Sequence, residues 1–383
     1  MMTLTEAIQR ASDQDRTTYR PCLYRMAQAD DRDRLKELLA CSHTLHVTDT
    51  LRAQLAELVR TLHPGRNYDK AQLDEAIASH LNGVSQEEYG VWVHYPWSGR
   101  LVHLLDEQEF ALLRTDRNRN KITRAEQAVL ASKKVGVIGL SVGQSVALTL
   151  TLERAFGEIR LADHDTLDLS NLNRIRSGVH ELGLPKVINT AREIAEIDPF
   201  LKVTIHPDGL NRTNMDAFFS DGGELDLLIE ECDSVDIKVL ARVKARQMGI
   251  PVVMDTSDRG MVDIERFDLE PDRPLLHGLL DKLGPIPSGQ LSAQERLRYA
   301  AAILPIGQTS DRMRASVPEI GRTLSTWPQL ASSVMVGGGT VANVVRRIQL
   351  GQPVPSGRWF VDPEAIIPTP IDLLINTPER LVP

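Results

Sequence analysis

The stretch KKVGVIGLSVGQSVALTLTLERAFGEIRLADHDTLDLSNLNRIRSGVHELGLPK, residues 133–186, decides the fold. Lys133 to Gly139 is a short apolar, β-branched run closed by glycine, the pattern of a strand buried on both faces. Val142 to Phe156 is apolar nearly all round and reads as a helix packed on a sheet. Glu158 to Asp163 gives a second strand. This order places the helix amino terminus at the first strand's carboxyl end, where free N–H groups and the helix dipole attract phosphate.

The turn itself reads Gly139-Leu140-Ser141-Val142-Gly143-Gln144. Against the dinucleotide pattern G-x-G-x-x-G only the first glycine is in register. Gly143 falls one place early, and Ser141 and Gln144 hold the other two positions. A glycine that merely turns a strand into a helix would look the same, so the turn alone is a weak signal. Asp163 follows Gly139 at close to the roughly 20 residues expected of an acid that binds ribose hydroxyls. That spacing suits NAD as well as ATP. The segment Asp165-Thr-Leu-Asp168-Leu-Ser-Asn171-Leu-Asn173-Arg174, with Lys186 after Pro185, separates the two. A triphosphate needs such cations on its phosphoryl oxygens, whereas a dehydrogenase has no evident need of them. Lys186 alone is better read as a solvated position near a helix start; the constellation as a whole favours the nucleotide.

A further group of acids follows a later strand. Leu225 to Glu230 is apolar, and Glu230-Glu231-Cys232-Asp233 comes next. Ligands of a doubly wound sheet sit at the strands' carboxyl ends, so these acids face the same crevice as Gly139. A carboxylate there suits Mg²⁺ bridging phosphate oxygens. The plainer alternative is an acidic loop in an acidic chain.

On these residues the chain resembles the ThiF, MoeB and HesA group, E1-like enzymes that adenylate the C-terminal carboxylate of ubiquitin-fold proteins. The resemblance rests on the GLSVGQS turn, DHDTLDLSNLNR, LPK, IDPF at 197–200 and DLLIEECDS, and reaches upstream to Arg117-Asn118-Arg119-Asn120. It implies that Gly139, Ser141, Gly143, Asp163 and Asp165 belong to the nucleotide site, with Asp163 on the ribose. Asn171, Arg174 and Lys186 would contact phosphates, and Asp233 would hold Mg²⁺. Arg119 is similar to the arginine that one subunit of a homodimer inserts into its partner's site, a task suited to a planar, permanently charged fork. The implied reaction is attack of a carboxylate on the α-phosphate of ATP, giving acyl-AMP and pyrophosphate.

Three departures shape the expectation. Two glycines of the turn are replaced. The paired Cys-x-x-Cys motifs that hold zinc in many members are missing, so no zinc is expected. No cysteine follows Cys232, so adenylation without a thioester-forming cysteine is the better reading. The acceptor stays open: a ubiquitin-like protein or peptide C-terminus, or a small carboxylic acid. Alternatives are an NAD(P)-dependent oxidoreductase on the same Rossmann-type half, a non-catalytic nucleotide-binding adaptor, and activation of a carboxylate on modified tRNA.

Composition sets outer limits. A chain of 383 residues can bury one large or two moderate cores. Its net charge of −8, with no basic block, makes nucleic acid and anionic membranes poor partners. No apolar run approaches spanning length, and the amino terminus is polar rather than signal-like. Cys22, Cys41 and Cys232 lack metal or disulfide spacing and fit a cytoplasmic protein.

The expected fold is α/β, a Rossmann-like doubly wound and mostly parallel sheet, with an N-terminal α+β accessory region at 1–114. The adenylation domain would occupy 115–383, with a core at about 130–275, a helical cap at 278–330 and a helix and strand toward 383. Helices are expected at 31–39, 48–62, 70–81, 211–219, 235–247 and 293–303, and strands within 89–105, 202–205, 251–256, 258–268 and 359–361. A long helix interrupted at its glycines is expected from Trp327 to Leu350. Trp92, Tyr95 and Trp97 could contact a partner, but core packing is the plainer reading. Asp258 and Arg259 are possible substrate contacts, with a surface ion pair the plainer reading.

Overall fold

The mostly parallel sheet expected around residues 133–186 is present, with seven strands, in a computed structural model, which describes residues 3–6, 16–41, 45–283, 291–304 and 306–367. Parts of the expected cap, and the stretch from 368 to 383, lie outside the described residues. The chain divides into two compact units, one made of 1–128 and 191–201, the other of 129–190 and 202–383.

The first unit carries strands β1 (Cys22–Tyr24), β2 (His46–Asp49), β3 (Val91–Tyr95) and β4 (Arg100–Leu104) in the order β1-β3-β4-β2. Helices α1 (Ala29–Cys41), α2 (Leu51–Leu62), α3 (Lys70–Leu81) and α4 (Glu107–Arg114) accompany them. In α2, Leu51, Leu55, Leu58 and Val59 recur at helical spacing and are buried with Ile77 and Leu81 of α3. Asp69 starts α3 with a capping box: it accepts from Gln72 N at 2.9 Å while Gln72 Oε1 accepts from Asp69 N at 3.2 Å. Sequence periodicity carried the preceding helix back to Thr48, but Thr48 and Asp49 pair as strand with Val102 and His103. Ladder bonding overrides local helix preference there. The aromatic cluster belongs to this unit's own packing. Tyr95 OH donates to Ala195 O at 3.3 Å, Trp97 Nε1 to Glu196 Oε1 at 2.7 Å, and Trp92 stacks on His103.

The second unit holds β5 (Lys134–Ile138), β6 (Glu158–Ala162), β7 (Lys202–His206), β8 (Leu227–Glu230), β9 (Val252–Thr256), β10 (Met261–Glu265) and β11 (Gly357–Phe360). Their order is β11-β10-β9-β8-β5-β6-β7. From β9 to β7 all neighbours are parallel, while β10 and β11 add an antiparallel edge. The order reverses at β5, which lies between β6 and β8; this is the switch point where such sheets bind ligands. In chain order α5 (Arg124–Leu130) precedes β5, and helix α6 (Gly143–Glu153) follows it and is buried almost throughout, as its sequence requires. Helices α7 (Lys186–Ile197), α8 (Met215–Ser220) and α9 (Val235–Gln247) continue the alternation. Helix α8 starts later than expected because Asn211 Oδ1 accepts from Thr213 N, Thr213 Oγ1 and Asn214 N. That local turn competes with helix.

Helix α10 (Ala293–Ile303) and the short α11 (Asp311–Ser316) lie in the expected cap region. The next helix, α12 (Ala331–Gln349), corrects the expectation of an interrupted helix: it runs unbroken through Gly337–Gly339. A Cβ on Gly337 would collide with the Asp255 carboxylate, and one on Gly338 with Ser145 Oγ. The glycines cost helix propensity, about 1 kcal/mol each, but let α12 lie directly on β9 and α6. The alternating run at 258–268 forms one strand, β10. Asp258 accepts from Ser310 N and Oγ, and Arg259 binds Asp362 and the Gln308 carbonyl. Both residues tie loops together in place of a simple surface pair.

Candidate active site

Gly139 leaves β5 with φ +84° and donates its N–H to Ala162 O at 2.9 Å. A Cβ there would also come within 2.5 Å of Glu231 O. Both the left-handed backbone and the close approach of the β8 end require glycine. At Gly143, the first residue of α6, a Cβ would press on Val137 Cγ1 at 2.9 Å. The switch point is thus a tightly closed seam at the amino end of α6.

Asp163, directly after β6, is buried and accepts two backbone N–H groups, Leu140 at 2.6 Å and Asp165 at 2.8 Å. These bonds tie the acid to the turn after β5. Burial raises its pKa, opposed by the Lys186 charge and the two N–H donors. Lys186, also buried, donates to Asp165 Oδ2 at 2.7 Å. Burial works to raise Asp165 too, but the Lys186 hydrogen bond and charge win and hold it below the ordinary range. A buried ammonium whose partner is a half-exposed carboxylate has the chemistry to pair with an anion.

The loop after Asp168 closes over the turn. Asn171 Oδ1 accepts from Asp168 N at 3.0 Å, so its oxygen serves its own turn. Arg174 is half-buried; its Nε donates to Ser141 Oγ at 3.0 Å and its Nη1 to Asn173 Oδ1 at 2.9 Å. Asn173 Nδ2 in turn donates to Gln329 O at 2.8 Å, anchoring the loop to the segment before α12.

The acids after β8 divide by role. Glu230 is fully buried, binds Lys238 at 2.8 Å, pairs with Arg242 and accepts Cys232 N at 3.0 Å. Burial works to raise it, yet the charges of Lys238 and Arg242 win and bring it down to about 2. Arg242 continues to Glu265 at 2.7 Å, so this chain of charges is a strut inside the sheet. Glu231 accepts Asp255 N at 2.9 Å. Burial, then the charge of Asp255, pushes Glu231 well above the usual carboxylate range, and burial pushes Asp255 up to about 6. Among the described residues neither Asp255 side-chain oxygen has a hydrogen-bond partner. Only Asp233 is exposed, and its charge acts on Arg174. Sequence position suggested that all the acids after this strand face the crevice; the structure withdraws Glu230 and Glu231 from that set. Burial likewise pushes the Cys232 thiol well up, which makes it a poor nucleophile.

Among the described residues, Asp163, His164 and Asp165 are the group with ligand atoms close enough to share a metal ion, within 4.8 Å of one another. Two of the three already serve the turn and Lys186. Arg119 lies in the first unit, with a side chain 45% exposed and paired with Asp116 at 3.0 Å. Gln144, which the sequence places in a glycine position of the turn, bonds the backbone of Arg176 with its amide in both directions, a partner that only the fold reveals.

A parallel sheet with a glycine turn, an acid after the second strand and cations over the switch point defines a nucleotide-binding α/β protein of E1-like type. The chain belongs to the ThiF family, whose family model matches residues 115–351. It is 47% identical over 281 residues to an uncharacterized protein, MT1398, of Mycobacterium tuberculosis, an alignment covering 73% of this chain and 39% of that one. It is 26% identical over 145 residues to an adenylyltransferase and sulfurtransferase of Ogataea parapolymorpha, over 37% of this chain and 36% of that protein. The chain therefore spans well under half the length of either relative. A tRNA N6-threonylcarbamoyladenosine dehydratase of E. coli, solved with AMP, aligns at TM-score 0.45 and 17% identity over 63% of this chain and 95% of its own. No helix among the described residues is long and apolar enough to cross a membrane.

Proposed function

We propose that this protein binds ATP with Mg²⁺ and adenylates a carboxylate, the C-terminus of a ubiquitin-fold protein or a peptide, releasing pyrophosphate. The observation that carries this reading is the pair of cations at the switch point. Lys186 is buried against Asp165 at 2.7 Å, and Arg174 is held on Ser141 at 3.0 Å beside the amino end of α6. A nicotinamide cofactor gives such cations nothing to do at a γ-phosphate, whereas a triphosphate satisfies them.

In this reading Asp163 orients the ribose, and the N–H groups at the α6 start, Asn171, Arg174 and Lys186 hold the phosphates. An acceptor carboxylate oxygen attacks the α-phosphorus, the bond to the α–β bridging oxygen breaks, and pyrophosphate leaves. Arg174 and Lys186 stabilise the charge that gathers on the leaving group, in a site that positions more than it reacts. Asp233, exposed at the β8 end within reach of Arg174's field, would hold Mg²⁺, which neutralises phosphate charge when bound. Arg119 would come from a second copy of the chain; its exposed pairing with Asp116 is weak enough to exchange for phosphate. Cys232, partly buried and with its thiol pushed well up by desolvation, supports adenylation without a thioester on this chain.

The test is AMP formation from ATP with candidate acceptors ending in a free carboxylate, including small ubiquitin-fold proteins. Asp233→Asn and Arg174→Ala should each abolish most of it. Full activity in both variants overturns the assigned roles.

A further inference from the structure

The two positions where the turn departs from a glycine pattern are the two whose side chains reach the Arg174 loop. Ser141 Oγ accepts from Arg174 Nε at 3.0 Å. Gln144, 1% exposed, uses its whole amide: Nε2 donates to Arg176 O at 2.9 Å and Oε1 accepts from Arg176 N at 2.9 Å. Glycine at either place could make none of these bonds. The reciprocal amide bond fixes the backbone just past Arg174, and Ser141 fixes the Nε edge of the guanidinium. Asn173 holds Nη1 and is itself held by Gln329 O. A guanidinium has five N–H donors, so several stay available to an anion after these contacts.

We propose that Ser141 and Gln144 are positioning residues that preset Arg174 over the α6 amino end before nucleotide arrives. This inference rests on the reading of Arg174 as a phosphate contact. An arginine on a loose loop must lose its conformational freedom when it binds, and presetting it removes that cost from binding. Close backbone approach through glycines is one way to grip phosphate; here part of that grip is transferred to an arginine locked by side chains. The departures from the glycine pattern then sharpen the nucleotide site where they might have been taken as its decay.

The test is calorimetric titration of MgATP and of adenosine into the full chain. Arg174→Ala is expected to weaken MgATP by roughly 10- to 100-fold, in line with loss of a charged hydrogen bond, and to leave adenosine unchanged. Gln144→Ala should weaken MgATP roughly tenfold, again without moving adenosine. Combined with Arg174→Ala it should add nothing, because both act through one guanidinium. Ser141→Ala should lose several-fold in MgATP affinity that Ser141→Thr, with its hydroxyl kept, largely retains. If Gln144→Ala does not fold, the Ser141 pair decides. Equal loss of MgATP and adenosine, full additivity with Arg174→Ala, or no effect of either residue overturns the inference while leaving ATP binding in place. Failure of the wild-type chain to bind MgATP removes the functional reading as well.

Discussion

Two charged clusters flank the β5–β8 seam, and they are built to opposite ends. On one side Lys186 is paired with an Asp165 that is 54% exposed, and Arg174 is held by neutral side-chain oxygens. On the other side Glu230, Arg242 and Glu265 are fully buried and, with a Lys238 side chain 13% exposed, close a paired chain. Asp163 and Glu230 alike read in sequence as acids at strand ends. The difference teaches that a site is marked by replaceable partners, and a strut by buried charges locked to one another.

The largest effect should come from breaking the strut. Arg242→Ala leaves Glu230 and Glu265 buried without their shared cation, and should cost about 3–5 kcal/mol of unfolding free energy. Urea denaturation would show it; a loss below about 1 kcal/mol would mean the cluster is not the strut described. In contrast, Lys186→Ala should weaken MgATP by at least tenfold while costing less stability than Arg242→Ala, since Asp165 can turn to water.

A pH series sharpens the comparison within the buried side. Asp255 is raised to about 6 in the folded state, from about 3.9 when unfolded. The folded state thus holds more protons on Asp255 between these values, so the contribution of this group to stability should fall as pH rises from about 4 to about 6. Asp255→Asn should flatten that slope and gain about 1–3 kcal/mol above pH 6, read by melts in matched buffers. An unchanged slope would remove Asp255 as its source. The smallest stability effect belongs to Arg119→Ala, within about 0.5 kcal/mol, because its pair with Asp116 is exposed. The same variant should cut AMP formation sharply, and parity in both measurements would dismiss it as a contributed arginine.

Much of the fold was legible because the signals were local. Lys70–Leu81, Val235–Gln247 and Ala293–Ile303 form helices where periodicity placed them. Parallel strands announced themselves as short apolar runs. What stayed hidden depends on tertiary partners. Thr48–Asp49 became strand through β4, the glycines of α12 remained helical because Asp255 and Ser145 press against them, and Glu230 and Glu231 turned inward. For the site, Asp163, Arg174 and Lys186 stood out by spacing and charge. Gln144 did not, since only the fold reveals that its amide faces the Arg176 backbone.

The most direct measurement is a paired titration of the wild-type chain with MgATP and with NADH. The account predicts saturable binding of MgATP, lost in Arg174→Ala, and no heat from NADH. Saturable NADH binding with MgATP silent would contradict it.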